Sequence, residues 1–315
     1  MRVGITGATG FIGGALVPTL ARRGYDLVLV DNRSGPMIVE HPTRPALNLD
    51  LGSEPALRAL SDCDVVVHLG AVSGVMACAH DPEGSARTNV DGSRRLVEMC
   101  RDRQIALAFA SSLAVVGSPE KLPVTEETPA RPTHEYARQK AEGERIVLKT
   151  GQGGVAPAAV LRMSNVYGNY EAEGKTIGKG NVLTLFLAQA REGRLTVNAP
   201  GTQRRDFIHL DDVLAHWEAI LGWLRGKSSN PTAARFNVAS GEGYSVIEIA
   251  EKVRTLWGRA HTRDPPLRID IVPNPRAGIE LVDPEFVVSR EATERELGVR
   301  CRHHVEDFLR TAILG

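Results

Sequence analysis

The sequence predicts an α/β protein, a doubly wound parallel sheet followed by a smaller C-terminal lobe. Three observations lead there. Short apolar runs recur through the first half of the chain, separated by stretches with helical apolar spacing. The runs are apolar throughout, as strands covered on both faces require. The first run passes straight into a glycine-rich turn, ITGATGFIGG at 5–14, with Gly7, Gly10 and Gly13 ahead of a helix.

Taken in order, RVGIT is a short apolar strand, and Phe11 to Arg23 places Phe11, Ile12, Ala15, Leu16 and Leu20 at helical spacing. YDLVLVD is a second strand, ALNLD a third and DVVVHLGA a fourth. A helix is predicted from Ala86 to Arg103, then the strand IALAFASS, a helix from His134 to Lys149, and the strand APAAVLRMSN. Past Asn165 the alternation loosens, and Gly, Lys and Asn become frequent around EGKTIGKGN. The predicted division is therefore 1–165 for the first domain and 166–315 mainly for the second. ARFNVAS reads as one more strand, returning to the first sheet near 235–239. No internal repeat is present.

Composition narrows the class. With 42% hydrophobic and 24% charged residues in 315, the chain reads as an ordinary soluble globular protein. Lys+Arg 38 balance Asp+Glu 38, and no Lys/Arg-rich run occurs, which argues against nucleic acid and anionic membrane as partners. No apolar run is long enough to span a bilayer. The first residues enter a strand pattern at once, so no signal peptide is expected. Cys63, Cys78, Cys100 and Cys301 form no CxxC and no zinc spacing, and read as structural thiols of a reducing cytoplasm.

A glycine-rich turn between a strand and a helix lets backbone approach a pyrophosphate, and the helix start offers free N–H groups and a partial positive charge. The spacing here is GxxGxxG, and such turns also serve packing alone. Asp31 strengthens the first alternative. It ends the second strand, eighteen residues after Gly13, where a carboxylate accepts both ribose hydroxyls of an adenosine and repels a 2′-phosphate. NAD is thereby favoured over NADP, with Arg33 close by weakening that preference. Further on, Tyr136 and Lys140 stand four apart on a predicted helix and share a face. An ammonium beside a phenol favours the phenolate. Ser111 and Ser112 end the fifth strand, at the sheet edge where ligands bind in such folds, and Ser112 lies twenty-four residues before Tyr136.

These motifs, with NLDL, VVHLGA, TNVDG, SSLAVVG and RRDFIHLDDV in the same order, resemble the extended short-chain dehydrogenases/reductases, and particularly their nucleotide-sugar epimerase/dehydratase group. The resemblance covers nearly the whole chain. It implies a Rossmann-type doubly wound parallel sheet that binds NAD, and a smaller C-terminal substrate-binding lobe that closes over a nucleotide sugar. By position it implies Ser112, Tyr136 and Lys140 as the catalytic set. For the cofactor it implies Gly7, Gly10, Phe11, Ile12, Asp31, Asn32, Asp50, Leu51, Leu69, Ala71 and Asn89, together with Tyr136 and Lys140. For the substrate it implies Asn165 at the phosphates, Asn181, Val182 and Leu183 at the base, and Arg205 and Arg276 on the diphosphate, with Ser112 at the sugar. Two arginines suit a diphosphate because each offers a planar fork of donors. No metal is implied, and the family often forms homodimers through the helices near 86–103 and 134–149.

The chain also departs from the group. Its dehydratases carry an Asp-Glu pair directly after the catalytic hydroxyl residue, whereas Leu113 and Ala114 stand here and cannot move a proton. The family's VYG is Val115, Val116, Gly117, and HLAA has become HLGA. The resemblance therefore implies a 4-epimerase of a UDP-hexose, resembling UDP-glucose 4-epimerases, with a dehydrogenase of a sugar or small hydroxy acid as the alternative. The segment from Tyr170 to Gly180 is read either as a lid or as a surface loop.

Overall fold

β-Branched and small apolar residues dominate the strands, and these fit a pleated, buried surface. The structure, a computed structural model, describes residues 1–32, 46–230, 232–261, 266–275 and 285–315. Strands β1 (Arg2–Thr6), β2 (Asp26–Asp31), β3 (Leu47–Asn48), β4 (Val65–His68), β5 (Ala106–Ser112) and β6 (Ala158–Met163) join one sheet. Three short strands, β7 (Asn165–Tyr167), β8 (Asn169–Ala172) and β9 (Lys175–Gly178), follow. Next come β10 (Arg194–Asn198), β11 (Arg204–His209), β12 (Ala233–Val238), β13 (Gly243–Ser245) and β14 (Arg268–Val272). The large sheet has the order β12-β6-β5-β4-β1-β2-β3, and every pairing in it is parallel. The chain is thus α/β, with the strand order reversing between β1 and β4.

Successive side chains on these strands enter opposite layers. Val3, Ile5, Leu27, Leu29, Val65, Val67, Ala106, Ala108, Ala159 and Leu161 pack with helix α1 (Phe11–Arg22) on one face. Val28, Val30, Val66, Leu107, Phe109, Ala158 and Val160 pack on the other with helix α2 (Glu54–Leu60). After α2 come α3 (Val75–His80), α4 (Pro82–Ala86), α5 (Ser93–Asp102) and α6 (Glu135–Gln152). The rest are α7 (Val182–Glu192), α8 (Leu210–Gly226), α9 (Val246–Ala260), α10 (Glu291–Leu297) and α11 (Val305–Leu314). Trp217, Ile220 and Leu221 of α8 complete the α1 layer, while Leu96 and Val97 of α5 and Ile146 and Val147 of α6 complete the other. A third core lies in the C-terminal half, where Phe186, Ala190, Leu195, Val197, Ile249, Val253 and Leu309 meet.

Several expected elements differ from those observed. The single helix expected from Ala86 to Arg103 begins with a π-helical stretch, Arg87–Gly92, before α5. Its wide turn carries Asn89 inward, and Gly92 lies flush against Leu51, where a Cβ would come within 2.9 Å of the Leu51 carbonyl. The strand expected over APAAVLRMSN breaks at Ser164 into β6 and β7, because β7 leaves the large sheet to pair with β11. The third strand is two residues long. Residues 169–178 form the hairpin β8–β9. Its Tyr170 ring lies 6.0 Å from Phe11, and its hydroxyl occupies the space that a Cβ on Gly14 would need.

One buried network fixes α6 to the sheet. The Glu144 carboxylate receives Ser111 Oγ at 2.6 Å, Arg162 Nε at 3.0 Å and Arg162 Nη2 at 2.8 Å. Arg235 of β12 approaches it at 3.5 Å, and Arg162 Nη1 donates to the Thr128 carbonyl at 2.9 Å. The Arg162 and Glu144 side chains are 1% and 3% exposed, so removing either partner leaves an uncompensated buried charge. Glu144→Ala is therefore expected to cost about 3–5 kcal/mol in denaturant unfolding. A loss within the range of ordinary surface substitutions, about 0.5 kcal/mol, would contradict this account of the network.

Candidate active site

The order reversal between β1 and β4 opens a crevice at the C-terminal strand ends, the place where ligands bind in open parallel sheets. Glycine makes that crevice narrow at its base. Gly7 has φ +71, and a Cβ on it would lie 2.6 Å from the Gly70 nitrogen at the end of β4. A Cβ on Gly13 would lie 2.2 Å from the Gly7 carbonyl oxygen, so α1 can start against the turn only without a side chain there. Above this seam lies a cavity of about 1080 Å³.

At one end the cavity is lined by Gly7, Gly10, Phe11, Ile12, Asp31, Asn32, Asp50 and Leu51, with Leu69 and Ala71 beside them. Helix α1 begins at Gly10 with no capping side chain and no acidic residue in its first turn. In contrast, α7 and α9 carry full capping boxes at Asn181 and Ser245. The first N–H groups of α1 and its positive end are thus unanswered by side chains where the helix meets the cavity. Asp31 Oδ2 accepts from the Thr9 nitrogen at 2.8 Å, which ties the end of β2 to the turn. A dinucleotide fits this donor set: uncapped helix N–H groups for a pyrophosphate and a carboxylate for a ribose.

The cavity wall also carries Ser112, Tyr136 and Lys140. Ser112 ends β5, and its Oγ accepts from the Ala114 nitrogen at 3.2 Å. Tyr136 and Lys140 share the face of α6 that Glu144, four residues further on, locks to the sheet. Lys140 Nζ donates to the Ala110 carbonyl at 2.8 Å and stands 4.9 Å from the centre of the Phe109 ring. A Cβ on Gly143 would meet Phe109 at 2.5 Å, so the helix lies flush on that strand.

The electrostatics differ from the simple expectation that the ammonium favours the phenolate. Burial, with the neighbouring Cys78 thiol adding to it, pushes Tyr136 up to about 12, and the Ser112 hydrogen bond only partly offsets this. The residue is half-buried yet lines the cavity, and desolvation sets the direction of the shift. Burial also brings Lys140 down to about 8 against the opposing pull of Cys78 and Glu144. Behind them His68 is held neutral, pushed down to about 3 by burial and by Lys140. His68 Nδ1 is 2.8 Å from Thr6 Oγ1 and its Nε2 is 2.8 Å from Ser93 Oγ, which joins β1, β4 and α5 beneath the cavity.

The remaining expected residues are divided between the cavity wall and other places. Asn165 lines the cavity, its Nδ2 donating to the Asp206 carbonyl at 3.1 Å. Asn89 is buried behind the wall. Its Oδ1 accepts from the Val72 nitrogen at 2.8 Å, and its Nδ2 donates to the Val72 carbonyl at 2.9 Å and to Gln139 Oε1 at 2.7 Å. Asn181 is the N-cap of α7, where Oδ1 accepts from the Leu183 and Thr184 nitrogens and Nδ2 donates to the Val166 carbonyl. Leu183 is wholly inside the third core and Val182 packs against that core. Arg205 does not line the cavity, and its Nη1 donates to the Arg204 carbonyl at 2.7 Å. Arg276 lies outside the described residues. His209 caps α8 by accepting from the Asp211 nitrogen at 3.2 Å.

The sequence reading passed over Lys179, Arg87, Thr88 and the loop Val72–Val75, all of which line the cavity. For Lys179 a signal was present: a lysine between two glycines, directly before an Asn that opens a helix. The loop after β4 has no motif of its own and comes into place through Asn89.

The depressed Lys140 gives a pH test. Its ordinary value is 10.5 and its folded value about 8, so folding favours the neutral amine. The resulting stability is present above 10.5 and is lost as pH falls through about 8. Lys140→Met removes that titration. Without added NAD, its melting temperature relative to the unsubstituted protein should therefore be higher at pH 7 than at pH 10.5. A difference that does not change with pH would contradict the depressed value.

Comparison with known proteins agrees with this architecture. Residues 3–239 match the model of the NAD dependent epimerase/dehydratase family. The chain is 27% identical over 333 residues to the UDP-glucose 4-epimerase of Lactobacillus helveticus, covering 99% of this chain and 96% of that one. Among solved structures, the Thermus thermophilus UDP-glucose 4-epimerase in complex with NAD is 26% identical. It superposes with a TM-score of 0.79 over 99% of this chain and 98% of that one. An NAD-dependent NDP-hexosamine 5,6-dehydratase of tunicamycin biosynthesis is also 26% identical, with a TM-score of 0.81 over 99% and 97% of the two chains. With its parallel sheet, its glycine seam and this match over most of its length, the chain belongs to the NAD dependent epimerase/dehydratase family.

Proposed function

We propose that this protein is an NAD-dependent nucleotide-sugar 4-epimerase acting on a UDP-hexose. The observation that carries the proposal is a contrast within one cavity. Ser112, Tyr136 and Lys140 line the wall next to the glycine turn, yet the positions after Ser112 hold Leu113 and Ala114. Among the described lining residues the carboxylates are Asp31, at the end of β2, and Asp50, after β3. Loss of water from a sugar needs a positioned acid and base beyond the hydroxyl pair. An epimerisation needs only one proton acceptor, and that favours the epimerase reading over the dehydratase relatives. In this reading residues 1–165, with the strand near 235–239, hold the cofactor, 166–315 mainly hold the sugar nucleotide, and the protein works as a homodimer.

Gly7, Gly10, Phe11, Ile12, Asp31, Asn32, Asp50, Leu51, Leu69 and Ala71 would hold NAD. When bound, NAD supplies a hydride acceptor and a cationic ring at the sugar C4. The chain's residues supply the rest. Ser112 hydrogen-bonds the 4-oxygen and fixes its distance from Tyr136. The Tyr136 phenolate takes the 4-hydroxyl proton and later returns it. Because burial holds the free phenol near 12, Tyr136 becomes a base only when positive charge is brought to the cavity. Lys140, pinned to Ala110 on the same helix face, stands beside that added charge.

Two outcomes follow. Tyr136→Phe should lower turnover by about 10²–10⁴-fold, the range for a positioned acid/base, while calorimetric NAD binding largely survives. Near-normal turnover would remove Tyr136 from the mechanism. UDP-glucose and UDP-galactose, or their N-acetyl or uronic relatives, should interconvert by NMR of the 4-position with no accumulation of NADH absorbance. Stoichiometric NADH without a 4-epimer would establish instead a dehydrogenase with net hydride transfer.

A further inference from the structure

The cavity is electrically divided. Its described charged residues are Asp31, Asp50, Arg87, Lys140 and Lys179. Asp31 ends β2, beside the glycine turn, and Asp50 follows β3 at the edge of the sheet. Lys140 is committed to the Ala110 carbonyl, and Arg87 belongs to the π-helical stretch before α5. Lys179 is the one lining cation, among the described residues, that comes from the half of the chain after Asn165.

Its setting is that of an anion contact. Lys179 lines the cavity beside Gly180, with Ser164 and Asn165 also on the wall. No carboxylate among the described residues pairs with its ammonium. Its backbone is held in place, because Thr184 Oγ1, part of the α7 capping box, donates to the Lys179 carbonyl at 3.2 Å. The glycines on either side leave room, and a Cβ on Gly180 would meet nothing within 4 Å. Three residues later begins the eleven-residue helix α7, whose positive end adds to the field at this point. Lys179 is an exposed residue on the cavity wall, so its side chain is free to meet a ligand that enters there. A lysine on a cavity wall with no paired carboxylate among the described residues can make a charge-assisted contact with an anionic ligand.

We propose that Lys179 grips the diphosphate of the nucleoside-diphosphate substrate, in the role that the sequence suggested for Arg205. This rests on the nucleotide-sugar reading above. Arg205 stays off the cavity wall and spends Nη1 on the neighbouring carbonyl, so the described substrate-side wall has Lys179 as its cation. The phosphates of NAD are a separate anion. They would be held at the uncapped start of α1.

The test is calorimetric titration of the full-length protein and its Lys179→Met and Lys179→Arg variants with UDP, uridine and NAD. Lys179→Met should weaken UDP by about 10–100-fold, the range of a charge-assisted hydrogen bond, with uridine and NAD unchanged. Lys179→Arg should keep most of the UDP affinity, which shows that the loop still folds around a cation. UDP binding unchanged in Lys179→Met overturns the proposal alone. Equal weakening of UDP and uridine overturns it as well, because Lys179 would then shape the lobe without meeting phosphate. Weakening of NAD rather than UDP reassigns the lysine to the cofactor and overturns it too. Failure of the unsubstituted protein to bind UDP, GDP or dTDP overturns the nucleotide-sugar reading together with this proposal.

Discussion

The buried Glu144 carboxylate is the interaction on which the site geometry depends. It collects a hydroxyl from β5, a guanidinium from β6 and a second guanidinium from β12. Three neighbouring strands of the sheet are thereby tied to one turn of α6. Tyr136, Lys140 and Glu144 follow one another at intervals of four on that helix, so fixing the third fixes the azimuth of the first two. Ser111, which donates to Glu144, is the residue before Ser112, so the same contact sets where the Ser112 hydroxyl emerges from β5. Ser112 and Tyr136 are thus registered through a salt bridge that touches neither. A buried ion pair of this kind is weak evidence for stability in itself, since desolvation offsets much of its attraction. Here it positions a helix.

The glycine seam does for the cofactor end what Glu144 does for α6. Gly7 and Gly70 bring β1 and β4 together at the point where strand order reverses, and Asp31 then reaches back to Thr9. The uncapped start of α1 lies on the cavity wall at this seam. The consequence is a cavity with a backbone-lined, acid-edged end and a wall of titratable side chains. Burial acts on Tyr136 and Lys140 in opposite directions, raising the phenol and lowering the amine. Both shifts favour neutral groups in the free protein, and added positive charge is what the phenol requires to ionise.

The sheet was legible because each strand is apolar and each side chain enters one of two layers: Val3 and Ile5 toward α1, Val28 and Val30 toward α2. The turn was legible because its glycines are spaced as a close approach requires, and Gly7 and Gly13 leave no room for a Cβ against Gly70 and Ala8. What stayed hidden depends on contacts far apart in sequence. Asn89 looks like a ligand residue until Val72 and Gln139, seventeen and fifty positions away, are seen to consume it. Asn181 and Leu183 lie in a ligand-like motif, yet one caps α7 and the other fills the third core. The short helices α2, α3 and α4 are too brief for periodicity to mark, and α4 is set instead by the Asp81 cap and Pro82. Lys179 escaped notice because a single lysine among glycines resembles a solvated loop until the cavity wall is known.

The central claim is that hydride leaves the sugar C4 and returns to the same molecule without exchange. Incubating a UDP-hexose deuterated at C4 with the enzyme and excess unlabelled NADH, then following deuterium at C4 by mass spectrometry as the 4-epimer forms, tests it directly. The account predicts that the epimer carries the full C4 label. Loss of label in proportion to epimer formed would show that hydride exchanges with the free cofactor pool and would contradict a sealed 4-epimerase.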